Sequence, residues 1–215
     1  VGKKHAGLLP LRGHSNVQGI GSMGFTPQLK QAVLNNLEAK YPMTLPTEPG
    51  LDTLACIEAA NNREVDFAFC LGGNLYGSNP DSQFTQTALE KVGFSLFLNT
   101  TLNQGHFLGR GRTSLILPVV ARDEEPEPTS QESMFSYIRL SDGGLQRYSG
   151  PRSEVKIIAE IAQRVLEDSQ LPWQSLSKTG NIRELIGAII PGFEPLKNID
   201  QTGKEFHIKG RALHT

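Results

Sequence analysis

The sequence predicts an α/β fold in which a parallel sheet is flanked by helices, and three observations carry that reading. Short, almost continuously apolar runs at residues 65–71, 94–98 and 114–120 have the length and composition of buried strands. Amphipathic helical patterns alternate with them, an order that produces parallel strands rather than hairpins. The turn residues Gly72-Gly73-Asn74 and Asn99-Thr100-Thr101 follow the first two runs directly, as expected where a strand of such a sheet hands over to a helix.

Taken in order, residues 1–26 are rich in glycine and polar side chains and show no helical period, so they predict a long loop that wraps something, too long to be a mere connector. Thr26 and Pro27 read as an N-cap and first helical position. Leu29, Ala32, Val33 and Leu37 keep one apolar face until Tyr41-Pro42 ends the helix. Leu51, Leu54, Ala55, Ile57 and Ala59 predict a second helix, stopped by the polar segment 61–64. The strand at 65–71 follows, then a helix over 81–92 with Phe84, Ala88 and Leu89 inward, and the strand at 94–98 behind Gly93. After the third strand, the Pro- and Glu-rich segment 123–128 predicts a solvated, mobile stretch. Ser153 reads as the cap of a strongly periodic helix through Val155, Ile158, Ile161 and Val165, and residues 181–190 give another; the tail from 191 has weak periodicity. These elements divide the chain into a loop segment 1–26, an α/β domain 27–150, and a helical continuation and linker 151–215.

Composition narrows the function classes. Lys and Arg number 21 against 22 Asp and Glu, so no electrostatic footprint favours nucleic acid or an anionic membrane surface. No apolar run approaches the roughly 20 residues of a membrane span, and the N-terminus lacks a charged segment followed by an apolar stretch, which predicts a cytoplasmic protein. Cys56 and Cys70 are the only cysteines; on a helix and a strand they read as two buried, reduced thiols rather than a disulfide or a zinc site.

Ligands of open α/β sheets sit beyond the carboxyl ends of the strands, which singles out Gly72, Gly73, Asn74, Asn99 and Thr100. Glycines there let backbone N–H groups approach a phosphate or ring edge, and an Asn amide can pair with a base or a ribose hydroxyl. The same residues also suit a strand-to-helix turn for geometry alone, and no GxGxxG opens a helix here. A second concentration of polar groups lies at Arg12-Gly13-His14-Ser15-Asn16-Val17-Gln18-Gly19, where a guanidinium can hold a carboxylate and an imidazole can carry a proton near neutral pH. A solvated surface loop is the competing reading. His106, Arg110 and Arg112 form a small basic group that suits either an anion or a solvated loop, and the acidic residues of 123–128 read as linker rather than metal ligands.

The eight residues from Arg12 to Gly19, with Met23-Gly24, resemble the Arg-Gly-x-x-Asn-Val-Gln-Gly…Met-Gly signature of formate dehydrogenase alpha subunits and related molybdopterin oxidoreductases of the DMSO reductase superfamily. The likeness continues through Phe69-Cys70-Leu71-Gly72-Gly73-Asn74, Ala88-Leu89-Glu90-Lys91 and Ile116-Leu117-Pro118 to the helix ending at Val165. It implies a Rossmann-like central portion of a longer polypeptide, inactive by itself, that helps hold a bis-molybdopterin guanine dinucleotide with molybdenum or tungsten. Gly72, Gly73, Asn74, Asn99 and Thr100 would then receive a guanosine. Gly13, Asn16 and Gln18 would contact the cofactor. Arg12 would orient a small anionic substrate, with His14 as hydrogen-bond donor or proton acceptor. The implied partners are a small-molecule substrate, the remaining domains of the same polypeptide and an electron-acceptor subunit. In this family the metal-ligating Cys or selenocysteine and any iron–sulfur cysteines lie upstream of the motif, and a second pterin-binding barrel lies downstream.

Three positions depart from the pattern. His14 stands where the family commonly has Gln, Leu75 replaces a proline, and Leu98-Asn99 replaces Gln-Asp. The pterin fold can survive these changes, but formate specificity no longer follows from the resemblance. From a different class, the same strands and turns suit a non-catalytic nucleotide- or cofactor-binding module, such as the central domain of thiamine-diphosphate enzymes; the Arg12 motif is the feature such a module has no reason to carry.

Overall fold

The computed structural model of the chain describes residues 2–8, 11 and 13–209. Helix α1 spans Val17–Ser22, α2 Gln31–Lys40 and α3 Thr53–Asn61. Strand β1, Phe67–Leu71, leads into α4, Leu75–Ser78, and α5, Ser82–Leu89; β2, Phe94–Asn99, leads through α6, Gly105–Leu108, to β3, Thr113–Pro118. Strands β4, Thr129–Glu132, and β5, Tyr137–Ser141, precede α7, Glu154–Val165, α8, Thr179–Ile189, and α9, Ile199–Thr202, and the short β6 covers Phe206–His207.

The α/β expectation holds. Strands β1, β2 and β3 form a parallel sheet in that order, in the register Phe67↔Phe94↔Thr113 through Leu71↔Leu98↔Leu117, a Rossmann-like unit flanked by helices. Helices α3, α4 and α5 start where a side chain accepts one of their free N–H groups. Asp52 accepts from Ala55 N–H at 2.9 Å, Asn74 from Gly77 N–H at 2.9 Å and Asp81 from Phe84 N–H at 2.8 Å. On one sheet face, Ile57 and Ala60 of α3 meet Ala88 and Leu89 of α5 together with Val92 and Ala68. On the other, Ile157, Ile158 and Ile161 of α7 cover Leu98 and Leu117.

A second sheet, β4-β5-β6, is antiparallel and was not foreseen. Its Ile138 enters a separate core with Val33 of α2, Ile189 and Ile190 at the end of α8, and Phe193, Leu196, Ile199 and Ile208. Arg183 of α8, only 3% exposed, braces this part. It bonds both carboxylate oxygens of Asp200 and donates to Pro128 O at 2.7 Å, which satisfies a guanidinium that would otherwise be costly to bury.

Several expectations need correction. The first helix begins at Gln31 and not at Pro27, because the Thr26 hydroxyl donates to Gln28 O and caps nothing. The loop before it contains α1, six residues held by the left-handed Asn16. The acidic segment is not a solvated linker. Glu124 and Glu125 are buried, since Glu124 accepts from Ala121 N–H at 3.1 Å and pairs with Arg147 at 3.4 Å. Cys56 is exposed, because α3 turns Ile57 and Ala60 inward instead, and Cys70 is only half buried. Strand β1 is not buried on both faces, for Phe67, Phe69 and Leu71 lie beyond the reach of α7. Ser153 occupies the cap position of α7 but its hydroxyl makes no capping bond.

Candidate functional site

The turn after β1 is built from two consecutive glycines in the left-handed region, Gly72 at φ 64° and Gly73 at φ 74°. A side chain at either would meet open space, so the requirement for glycine is conformational. Gly72 N–H donates to Leu98 O at 2.8 Å, which sets the turn beside the end of β2. Across that gap Gly73 O accepts from Asn103 Nδ2 at 2.9 Å and from Asn99 Nδ2 at 3.4 Å. Gly105 lets the two loops close, since a Cβ there would lie 2.5 Å from Asn74 Oδ1 and 3.0 Å from Asn103 Oδ1.

The result is a small cradle at the carboxyl ends of β1 and β2. Gly72, Gly73, Asn74, Asn103 and His106 line it, with Cys70 and Phe97 on its floor. Asn99, joined to the cradle through Gly73, is 8% exposed. Its Nδ2 is committed to Gly73 O, which leaves Oδ1 as a buried acceptor with no partner among the described residues. A buried amide oxygen without a donor costs roughly 1–3 kcal/mol, a cost that a ligand N–H or O–H would remove. Burial also pushes the Cys70 thiol up, which suppresses its thiolate on the floor. Asn74, whose Oδ1 caps α4, holds the shape of the turn. Thr100 is exposed just beyond Asn99.

The motif residues gather elsewhere. Arg12 lies outside the described residues, and Gly13 and His14 are exposed. Asn16 has φ 60° and its Oδ1 accepts from Glu132 N–H at 3.0 Å, pinning α1 to β4. Gly19 is buried where a Cβ would lie 2.0 Å from Asn16 Oδ1, so the Asn16 and Gly19 pair has a structural reason of its own. His14, Asn16 and Gln18 line an open groove with Gln131 and Ser133. The basic group at the end of the second crossover is split: His106 is buried against Phe97 and Asn103, while Arg110 and Arg112 are exposed. Among the described residues no group of three His, Cys, Asp or Glu is placed to hold a metal ion. None of their helices is long and apolar enough to cross a membrane. Of the residues singled out by their position after strands, the structure brings Gly72, Gly73 and Asn99 together. Sequence reasoning missed Asn103 as part of the same cradle, whose only signal was a polar residue four positions past a strand end.

Fold and turn together define a Rossmann-like α/β unit with a small cradle at its strand ends. Such a chain is related by sequence to proteins named oxidoreductases. It is 34% identical over 201 residues to an uncharacterised oxidoreductase of Mycobacterium tuberculosis, covering 89% of this chain and 26% of that protein. It is 33% identical over 220 residues to protein YdeP of Escherichia coli K12, covering 99% of this chain and 29% of that one. A putative formate dehydrogenase of Staphylococcus haemolyticus is 32% identical over 100 residues, 43% of this chain and 10% of that protein. The chain thus spans little more than a quarter of the length of the first two relatives. No family model matches it.

Proposed function

We propose that this chain is the part of a cytoplasmic, molybdopterin-dependent oxidoreductase that receives the guanosine end of a pterin guanine dinucleotide. The observation that carries the reading is the unpartnered, buried Asn99 Oδ1 beside the left-handed Gly72-Gly73 turn. A guanosine offers what that acceptor lacks, either a ribose hydroxyl or the N–H groups of the base edge. The open space over Gly72 and Gly73 admits a flat or phosphorylated group close to the backbone, and kinship with oxidoreductases supports redox chemistry over a purely structural role.

When bound, the cofactor supplies a two-electron centre at molybdenum or tungsten. The residues of this chain bind and orient. Asn99 and the glycine turn hold the nucleoside, and Gly13, Asn16 and Gln18 contribute the cofactor-facing side of the motif loop. Arg12 supplies positive charge for a small anionic substrate, and His14 accepts or donates a proton beside it. An electron-acceptor subunit and the rest of a longer polypeptide complete the enzyme.

The test is metal analysis of the complete protein together with release of guanine nucleotide by acid. Molybdenum or tungsten near one per chain with about two guanine nucleotides supports the proposal. Neither metal nor guanine, in protein from a host that makes the cofactor, replaces it with a cofactor-free nucleotide-binding or structural module. In the active protein, Arg12→Ala and His14→Ala must each lower the substrate-dependent rate; an unchanged rate removes that residue from the mechanism.

A further inference from the structure

His106 is buried to 5% exposure on α6 and takes no part in the ligand contacts proposed above. Its Nδ1 accepts the backbone N–H of Asn103 at 2.9 Å, and its ring stands edge-on to Phe97, with centroids 5.1 Å apart and planes at 79°. The loop it grips is the one that closes the cradle. Asn103 Nδ2 donates to Gly73 O at 2.9 Å, and Asn103 Oδ1 accepts from Gly105 N–H at 2.8 Å. A chain of bonds therefore runs from the imidazole through Asn103 to the glycine turn, and Gly73 O at its end also fixes the amide of Asn99. An imidazole nitrogen that accepts a backbone N–H must carry a lone pair, so the ring holds this loop only when neutral, with its proton on Nε2.

From this geometry, and resting on the guanosine reading of the cradle, we infer that His106 is a positioning residue for nucleotide binding that acts as the neutral Nε2–H tautomer. Protonation at Nδ1 sets two donors against each other, releases the Asn103 loop and lets the Gly73 carbonyl and the Asn99 amide turn. Among the described residues, the titratable side chains lining the same pocket are Cys70 from β1 and Tyr76 from α4, with no carboxylate, lysine or arginine to hold an imidazolium. Proton binding and nucleotide binding therefore oppose each other at this position.

The test uses the complete protein made in a host unable to synthesise the pterin, titrated calorimetrically with guanosine diphosphate as probe between pH 7.5 and 5.5. The wild type is expected to bind more weakly as the pH falls. His106→Asn keeps an acceptor oxygen near the Nδ1 position and cannot be protonated in this range, so it retains binding at pH 7.5 and flattens the pH profile; any slope it keeps belongs to the probe's own phosphate. His106→Leu orphans the Asn103 N–H and is expected to lose about tenfold or more in affinity at every pH. Asn103→Ala, a milder change for folding, gives the same pH-independent loss. Wild-type affinity in His106→Leu, or a wild-type profile that matches His106→Asn, overturns the inference and leaves the cradle reading intact. No binding by the wild type at any pH overturns the cradle reading itself, and the role of His106 with it.

Discussion

The two faces of the parallel sheet are finished to different degrees. Beneath α3 and α5 the packing is complete: Ala88 is fully buried, and Ile57, Ala60 and Val92 are exposed by no more than 2%. On the opposite face α7 seals only the carboxyl end, over Leu98 and Leu117. Elsewhere on this face, Phe67, Phe69 and Leu71 of β1 and Leu115 of β3 remain between 41% and 52% exposed. Their shared face follows from the register, because in-register parallel neighbours point their side chains to the same side. Parallel sheets are normally covered on both faces, so four large apolar residues left bare on one of them make this sheet asymmetric. Stability should therefore be concentrated under the helices and at the α7 end.

Leu98→Ala tests the sealed end and should have the largest effect. The side chain is fully buried in the central strand, and its removal leaves a cavity among Val119 and Ile157, which should cost about 2–5 kcal/mol in chemical denaturation. A loss below about 1 kcal/mol would mean that α7 does not hold this end of the sheet in solution.

Gly72→Ala asks less of the packing and more of the backbone. No described residue lies within 4 Å of the added methyl, but φ at 64° places an L-residue in the left-handed region, for about 1–2 kcal/mol. On the proposed guanosine reading, nucleotide affinity should fall with stability, since the strain sits in the turn that carries Gly73 O. Equal stability with lost affinity would show instead that the methyl blocks the ligand directly.

Much of this contrast could be read in the sequence, and the limits have physical causes. The three strands were legible because each is a short apolar run bounded by turn residues, and the candidate turns followed from their position. That β1 would expose alternate residues was not legible, since Phe67, Phe69 and Leu71 are as apolar as a buried face requires and only the length and placement of α7 decide what is covered. The second sheet was hidden because Thr129, Ser130, Gln131 and Glu132 carry no apolar alternation and β6 pairs with β5 from far along the chain. Buried Glu124 and Glu125 read as linker because their burial depends on partners such as the Ala121 amide and the distant Arg147. In the cradle, Gly73 and Asn99 were visible as strand-end residues, but the grip of His106 on Asn103 depends on side-chain direction, which spacing does not encode.

The two cysteines sharpen the comparison without changing stability. Cys70 points to the helix-covered face, where burial pushes its thiol up, while Cys56 is exposed on α3. A thiol reagent should label Cys56 first and Cys70 several-fold more slowly, because the thiolate is the reactive species and is suppressed at Cys70. Cys70 lines the cradle, so guanosine diphosphate should slow its labelling further and leave Cys56 unaffected. Equal protection of both would place the effect outside the cradle.

The smallest stability change is expected on the bare face. Phe69 is 41% exposed, and its ring touches Phe67 with centroids 6.3 Å apart rather than a covering helix. Phe69→Ser removes apolar surface that this chain leaves partly in water, so it should cost less than about 1 kcal/mol where Leu98→Ala costs several. It should also reduce the binding of a hydrophobic fluorescent dye by the isolated chain. If Phe69→Ser proves as damaging as Leu98→Ala, this face is covered in solution, and the asymmetry between the two faces is not a property of the molecule.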